Sequence, residues 1–381
     1  MRGLALEGGG AKGAFHVGAL QAFFDRSITF DAVTGTSIGA LNGAMIAQGD
    51  FETLKMLWTN AAISKVADVD DAEFDKLMSG DYDRSLVKYL VKKAREVISS
   101  RGMPIDKLKS IVDKYIDEDK LRASKIDYGL VTVAVSNGWE PMELFKEDVP
   151  EGLLKDYILA SAYYPLYNRP EIGGKRFLDG GIYNNCPISP LVRKGYSDIV
   201  AIRTGSRMPM RGVIDRSVKV TYVIPSESLG GTVDLRKSHV EYNMKLGYFD
   251  ALRALDKLGG FRYYIEPMEV AEAMSFMLNL RESAFSDLSD VLREKGPRNT
   301  IFAHAFAVAH AELDLPDKFG AVETMTAILE EAARIHGVEK FKIYTLNDFL
   351  KEIKSRLDTP PSGSVTKSYE MAVAVLRHID V

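Results

Sequence analysis

A serine flanked by glycines is the first feature of this chain whose residue types and spacing suggest chemistry. Residues 35–39 read Gly-Thr-Ser-Ile-Gly, after an apolar run and before a helical pattern. In a sharp turn from strand to helix, Ser37 would be exposed near the positive end of the helix dipole. Gly35 and Gly39 would keep the crowded turn free of bulk. Plain turns of small residues share this pattern, so the motif needs support from elsewhere.

A glycine-rich loop near the N terminus gives that support. Residues 8–13 read Gly-Gly-Gly-Ala-Lys-Gly, between a short apolar strand and a helical pattern that starts near Ala14. Consecutive glycines leave backbone N–H groups unshielded, so several of them can converge on an anion. The intermediate formed by a serine nucleophile carries an oxyanion, and the loop is therefore a candidate oxyanion hole.

The same loop matches a nucleotide-binding pattern, which is the rival interpretation. Gly8, Gly10 and Gly13 spell Gly-x-Gly-x-x-Gly. A dinucleotide site needs an acidic residue at the end of the next strand to hold the ribose, but that strand ends at the serine motif. No Gly-Lys-Ser/Thr follows the glycines either. Nucleotide binding is therefore the weaker interpretation.

A third candidate lies far downstream. Asp179 follows a short apolar strand and precedes Gly180 and Gly181. Taken alone, this is typical of a strand that ends in a turn where aspartate caps its own backbone. Taken with the other motifs, the chain presents in order a glycine loop, a serine turn and an aspartate.

These three motifs in this order resemble the patatin-like phospholipase family. Residues 160–165, 173–175 and 184–187 are also similar to that family's segments around the aspartate, and the resemblance covers about the first half of the chain. One departure is Lys12, where the family often has arginine. The resemblance implies a Ser-Asp dyad without histidine, an oxyanion hole and a set of motif glycines. The implied site residues are Ser37 as nucleophile, Asp179 as its partner, Gly9, Gly10 and Ala11 as oxyanion donors, and the glycines Gly8, Gly13, Gly35, Gly39, Gly180 and Gly181.

The implied activity is hydrolysis of acyl-ester lipids. The resemblance implies phospholipids, lysophospholipids or acylglycerols as substrates, cleaved through an acyl-enzyme without a cofactor. Two alternatives stay open: a lipid-binding or regulatory module of the same fold with little turnover, and an acyltransferase. Head group, acyl-chain preference and oligomeric state are not determined by the sequence.

Other titratable residues offer weaker candidates. His16 is the histidine nearest the glycine loop and is considered as a base, but Asp179 already fits that role. The acidic run from Asp68 lacks the glycine and glutamate of a calcium loop, and no histidine set has zinc spacing, so we predict no metal. Cys186 is a reactive thiol near the site or, as we favour, a small packed residue.

Composition describes an ordinary globular protein. The chain has 381 residues, 46% hydrophobic and 27% charged, with a net charge of −4, and so lacks the basic footprint of a nucleic-acid-binding protein. A single cysteine excludes an intramolecular disulfide and favours a reducing compartment. No secretory signal or long apolar stretch is visible. We therefore expect a cytoplasmic protein that contacts membranes only transiently and peripherally.

Alternation of strand and helix patterns over the first 48 residues predicts a mostly parallel α/β sheet. The family resemblance implies a three-layer α/β/α domain over residues 1–225. Residues 226–381 form a mainly helical C-terminal region. Residues 85–101 form a basic helical pattern, interpreted as a membrane-surface helix or, preferably, a packed helix with a solvated face. Residues 205–212 form a loop, interpreted as a substrate-side loop or, by default, a plain connection.

Overall fold

The structure is a computed structural model that describes residues 1–66, 69–79, 85–86, 88–90, 92–93, 105–136, 138–163, 171–212, 215–267 and 279–379. The chain divides into two compact units, Met1–Ala251 and Leu252–Val381. The sequence predicts a division after residue 225, whereas the first unit continues through most of a helix at Lys237–Asp256.

A seven-stranded sheet forms the centre of the first unit. Its strands are β1 (Arg2–Leu6), β2 (Ala32–Thr36), β3 (Asp127–Ala134), β4 (Glu140–Phe145), β5 (Phe177–Asp179), β6 (Asp198–Ile202) and β7 (Lys219–Val223). Their order is β4-β3-β2-β1-β6-β7, and β5 pairs with β3. Strands β4 and β5 run antiparallel to β3, and the other pairings are parallel. The predicted mostly parallel sheet is confirmed.

Helices of the first unit connect these strands. A short 3-10 turn at Gly10–Gly13 precedes the first of them. The helices are α1 (Ala14–Asp25), α2 (Ile38–Ala47), α3 (Phe51–Thr59), α4 (Ile63–Val66), α5 (Asp71–Ser79), α6 (Asp106–Tyr115), α7 (Glu118–Ala123), α8 (Leu154–Ser161), α9 (Ile188–Arg193) and α10 (Lys237–Asp256).

Helices cover both faces of the sheet because side chains alternate along each strand. On one face, α2 packs so closely that a Cβ at its Gly43 would lie 3.0 Å from Val33 Cγ1. On the other face, a Cβ at Gly3 would lie 3.0 Å from Cδ1 of Leu191 in α9. Ala5 joins the buried cluster on the α9 side. Helix, sheet and helix thus form the predicted layers.

The second unit is mainly helical, as predicted. Its helices are α11 (Glu282–Leu292), α12 (Arg298–Leu313), α13 (Ala321–Ile335), α14 (Leu346–Lys354) and α15 (Lys367–Leu376). The sequence also predicts one strand at 261–265. That strand is confined to β8 (Tyr264–Ile265), which pairs in parallel with β9 (Ile343–Tyr344). Among the residues that the structure describes, no helix is long and apolar enough to cross a membrane.

Some sequence predictions fall outside the described residues. Most of the basic pattern at 85–101 lies there. Within the C-terminal region the sequence also predicts a helix at 267–294, of which residues 268–278 lie outside the described residues. The sequence also shows helical patterns at 51–62 and 151–161. The first of these helices ends at Thr59 and the second begins at Leu154.

Candidate active site

Ser37 occupies a strained turn between β2 and α2. Its φ of 57° and ψ of −126° lie in a region that residues with a Cβ rarely adopt. The chain doubles back so tightly that a Cβ at Gly35 would lie 2.1 Å from the Gly39 carbonyl oxygen. A Cβ at Gly39 would lie 2.3 Å from the carbonyl oxygen of Leu6. These contacts explain why both flanking positions are glycine.

Strand β3 brings the predicted serine and aspartate together. Thr36, the last residue of β2, pairs with Val131, and Asp179, the last residue of β5, pairs with the next residue, Thr132. Because β2 runs parallel to β3 and β5 antiparallel, the two strands end against each other along one side of β3. Ser37 follows Thr36 directly, so it lies beside Asp179 although 142 residues separate them in the sequence.

Asp179 is buried, and hydrogen bonds offset part of the cost of burying its charge. Only 9% of the residue is exposed, and its Oδ1 accepts the Gly181 N–H at 2.8 Å. Burial raises the pKa of Asp179 to about 6, while hydrogen bonds from the Ser37 side chain and the Gly181 N–H act to lower that pKa. A carboxyl group with this pKa is ionised at neutral pH and is a stronger base than an ordinary aspartate.

The glycine loop presents two N–H groups instead of the three predicted. Among the described residues, the N–H groups of Gly9 and Gly10 have no hydrogen-bond partner. Ala11 is a correction to the predicted set, because its N–H donates to the carbonyl oxygen of Thr232 at 2.7 Å. Gly10 has a φ of +59°, and a Cβ there would lie 2.1 Å from the same carbonyl oxygen. Only glycine therefore fits where the segment around Thr232 packs on the loop.

Buried polar groups hold the loop from below. The Gly8 carbonyl oxygen accepts from Thr204 Oγ1 at 2.7 Å and from Asn185 Nδ2 at 3.2 Å. The Gly8 N–H donates to the Asn185 carbonyl oxygen at 2.9 Å. Beneath them, the fully buried Glu7 carboxylate accepts from Thr204 and pairs with Arg203 at 2.9 Å. This network fixes the Gly8–Gly9 peptide, which carries the first of the two available N–H groups.

Two further residues fix the serine turn. The Ser37 N–H donates to Ser161 Oγ at 2.9 Å, and that hydroxyl donates to the Val131 carbonyl oxygen at 2.6 Å. On α2, Asn42 Nδ2 donates to the Gly13 carbonyl oxygen at 3.1 Å, which links the serine helix to the glycine loop. Sequence reasoning assigned no role to Ser161 or Asn42, because neither belongs to a local motif of the nucleophile or the loop.

The other titratable candidates lie in different surroundings. His16 is fully buried, which lowers its pKa to about 3, and its Nδ1 lies 3.3 Å from Asn42 Nδ2. The contacts of His16 thus connect α1 to α2 and do not reach Ser37 or Asp179. Cys186 is a fully buried free cysteine, as favoured from the sequence. Within the described part of the chain, no cluster of histidine, cysteine, aspartate and glutamate could hold a metal.

This fold and site define a class of α/β proteins that carry a serine at a strand-to-helix elbow beside a glycine loop and a buried aspartate. Residues 4–192 match the family model for patatin-like phospholipase, so the chain belongs to that family through this domain. The resemblance noted in the sequence is thereby confirmed.

Two curated relatives are distant in sequence and much longer than this chain. The neuropathy target esterase sws of Drosophila melanogaster is 29% identical over 54% of this chain and 13% of its own length. Lysophospholipase NTE1 of Saccharomyces cerevisiae is 25% identical over 72% of this chain and 15% of its own length. The chain thus spans less than a fifth of these relatives. Among solved structures, VipD from Legionella pneumophila aligns with a TM-score of 0.44 and 15% identity, over 99% of this chain and 91% of that one.

Proposed function

We propose that this chain hydrolyses carboxylic esters of lipids, with Ser37 as nucleophile and Asp179 as base. The observation that carries the proposal is the pairing of β2 and β5 with neighbouring residues of β3, which supports a Ser-Asp dyad because Ser37 follows β2 and Asp179 ends β5. Membership of the patatin-like phospholipase family and the names of the relatives, lysophospholipase and esterase, support phospholipids, lysophospholipids or acylglycerols as substrates.

In the proposed reaction, Ser37 Oγ attacks the ester carbonyl carbon while Asp179 accepts the hydroxyl proton. The N–H groups of Gly9 and Gly10 donate to the oxyanion that forms. Asp179 then returns the proton to the departing alcohol. Water attacks the acyl-enzyme with Asp179 again as base, which releases the fatty acid and restores Ser37.

The test combines a serine-directed phosphonate with turnover of a short-chain aryl ester. Ser37→Ala is expected to lose both labelling and turnover. Asp179→Asn is expected to lose about 10²–10⁴-fold in turnover, the contribution of a positioned base, with its circular dichroism unchanged. Ser27→Ala is the matched control for the serine, because Ser27 also has a positive φ but lies on an exposed turn. Asp119→Asn, at an exposed position, is the control for the aspartate.

The same experiment separates the alternatives. Labelling of Ser37 without turnover of any ester favours a binding or regulatory module. Transfer of the acyl group to added glycerol or lysolipid, detected in the products, favours an acyltransferase. A wild-type protein that neither reacts with the phosphonate nor turns over an ester contradicts the proposed function.

A further inference from the structure

Exposed apolar side chains are concentrated at one edge of the sheet. Of ten large apolar side chains exposed among the described residues, six lie at or near the carboxyl ends of the strands, in the β3–β4 turn or beside Thr232. This is the edge at which Ser37 lies. The six are Trp139, Met208, Met210, Tyr222, Ile224 and Val233. Single exposed apolar residues are normal on a protein surface, but a concentration beside the site indicates an interaction surface.

The loop at residues 205–212 contributes the centre of this surface. Met208 is 42% exposed and Met210 is 37% exposed. The loop is anchored beside the site, because the Asn185 N–H donates to the Pro209 carbonyl oxygen at 2.7 Å. The Arg211 N–H also donates to Asn184 Oδ1, at 3.2 Å. The methionines are therefore held outward beside the segment that supports Gly8.

A second apolar group projects from the β3–β4 turn. Strand β3 continues three residues beyond Val131, the partner of Thr36, so the turn begins about 10 Å past the level of Thr36, the residue before Ser37. Trp139 in this turn is 57% exposed. Three strand spacings separate β3 from β6, which places the turn about 14 Å across the sheet from the start of the methionine loop.

The charge of this edge differs from that of the whole chain. At this edge the loop at residues 205–212 carries Arg207 and Arg211 and no carboxylate, whereas the net charge of the chain is −4. Asp234, next to the exposed Val233, is neutralised by its ion pair with Arg236. Exposed methionines next to arginines, with an exposed tryptophan at the same edge of the sheet, match a bilayer interface, where apolar groups enter the acyl region and cations meet lipid phosphates.

We propose that Trp139, Arg207, Met208, Met210 and Arg211, here called the rim surface, dock this protein on an anionic phospholipid bilayer. Docking in this orientation faces the mouth of the Ser37 site toward the lipid. The inference rests on the proposed function, since a lipid hydrolase must reach esters that are held in a membrane.

The experiment uses the full chain with Ser37→Ala, so that the vesicles stay intact. Vesicles are made of phosphatidylcholine alone or of equal parts phosphatidylcholine and phosphatidylserine. Only two tryptophans are present, and Trp58 is 7% exposed, so quenching by brominated lipid reports Trp139. We expect sedimentation with the anionic vesicles and quenching that Trp139→Phe removes.

Substitutions then test the individual groups. The Met208→Ser/Met210→Ser double variant is expected to weaken vesicle binding at least ten-fold through lost apolar contact, whereas Met208→Leu/Met210→Leu is expected to retain binding. Arg207→Gln is expected to weaken it about five-fold. Lys219→Gln is the matched charge control, because Lys219 begins β7 at the opposite edge of the sheet.

The outcomes separate docking from catalysis. If the wild-type surface does not bind anionic vesicles, or if the serine double variant binds as well as its parent, the rim surface is not a bilayer site. Either result leaves turnover of a water-soluble ester intact. Loss of the proposed chemistry, by contrast, appears as absent phosphonate labelling and absent soluble-ester turnover, whatever the vesicles show.

Discussion

At the residue scale, the site depends on placing a strained serine beside a carboxyl group that burial has made more basic. Ser37 keeps its unusual backbone conformation because its N–H is tied through Ser161 to β3. Asp179 ends β5, which also pairs with β3, and little water reaches its side chain there. Strain and desolvation both cost stability, and both occur where the proposed chemistry needs them.

Activity is expected to follow the ionisation of Asp179. A base must be deprotonated to accept the Ser37 proton, and the pKa of Asp179 is raised to about 6. The ratio kcat/KM for a soluble ester should therefore rise about ten-fold per pH unit below pH 6 and level off above it. Measurement from pH 4.5 to about 8.5 checks this, and a profile that is flat through pH 6 contradicts it.

Removing the charge of Asp179 is expected to increase the free energy of unfolding. The folded state raises the pKa from its ordinary 3.8, so the proton is held more tightly in the folded protein than in the unfolded one. The ionised form therefore destabilises the fold above pH 6, and this cost disappears below pH 4. Asp179→Asn should raise the free energy of unfolding by about 2–3 kcal/mol at pH 8 and by little at pH 4.

Denaturant titrations at the two pH values measure this difference. Asparagine can still accept from the Gly181 N–H and donate to Ser37, so the substitution changes charge more than contacts. Asp119→Asn, which changes an exposed carboxylate, should leave the free energy of unfolding within about 0.5 kcal/mol. Equal effects at pH 4 and pH 8 would contradict a raised pKa.

At the element scale, the glycine loop is positioned by segments far away in the sequence. Gly10→Ala should lose about 10²–10³-fold in kcat, because the new Cβ would displace the loop from the Thr232 carbonyl and misplace an oxyanion donor. Gly49→Ala is the matched control: Gly49 also has a positive φ, of +84°, but no described atom lies within 4 Å of the position that its new methyl group would take. Its kcat should stay within about two-fold of the parent's, a comparison made by steady-state assay.

The support beneath Gly8 should behave cooperatively. Thr204 Oγ1 and Asn185 Nδ2 both donate to the Gly8 carbonyl oxygen. Thr204→Val or Asn185→Leu alone leaves one donor, whereas the double variant leaves a buried carbonyl unsatisfied. We expect the double variant to raise the activation free energy derived from kcat by at least about 1 kcal/mol more than the sum of the two single increases. A double-mutant cycle on kcat, with KM unchanged, measures this coupling, and simple additivity contradicts it.

The parts of the site that could be predicted are those with local signatures. Gly35, Ser37 and Gly39 follow from the geometry of one turn, and the glycine loop follows from one run of small residues. The occupied N–H of Ala11 and the support from Ser161 could not be predicted, because they depend on contacts between segments 124 or more residues apart. Strand register, which places Asp179 opposite Thr132, is likewise a property of the folded sheet.

At the scale of the whole molecule, the first unit extends beyond the predicted boundary for a steric reason. A Cβ at Gly18 of α1 would lie 1.8 Å from the Met244 carbonyl oxygen, and one at Gly247 would lie 2.1 Å from that of Phe15. Helices α1 and α10 therefore touch backbone to backbone. The change from mixed to helical patterning after residue 225 marks the end of the sheet, not the end of the unit.

Two fragments test this boundary. Residues 1–256 retain α10 and the Thr232 segment, so we expect cooperative thermal unfolding and phosphonate labelling. Residues 1–225 expose the buried side of α1 and lack the Thr232 contact, so we expect aggregation or an unfolded spectrum. Folding and labelling of the shorter fragment as efficiently as the longer one would contradict the boundary after Ala251.

The meeting of β2 and β5 on one side of β3 also has a consequence during synthesis. Residue 179 must leave the ribosome before β5 can pair with β3. Ser37 is translated well before that point. Any reaction that requires both groups is therefore absent from a nascent chain in which residue 179 has not yet emerged. The proposed ester hydrolysis therefore cannot begin before β5 has joined β3.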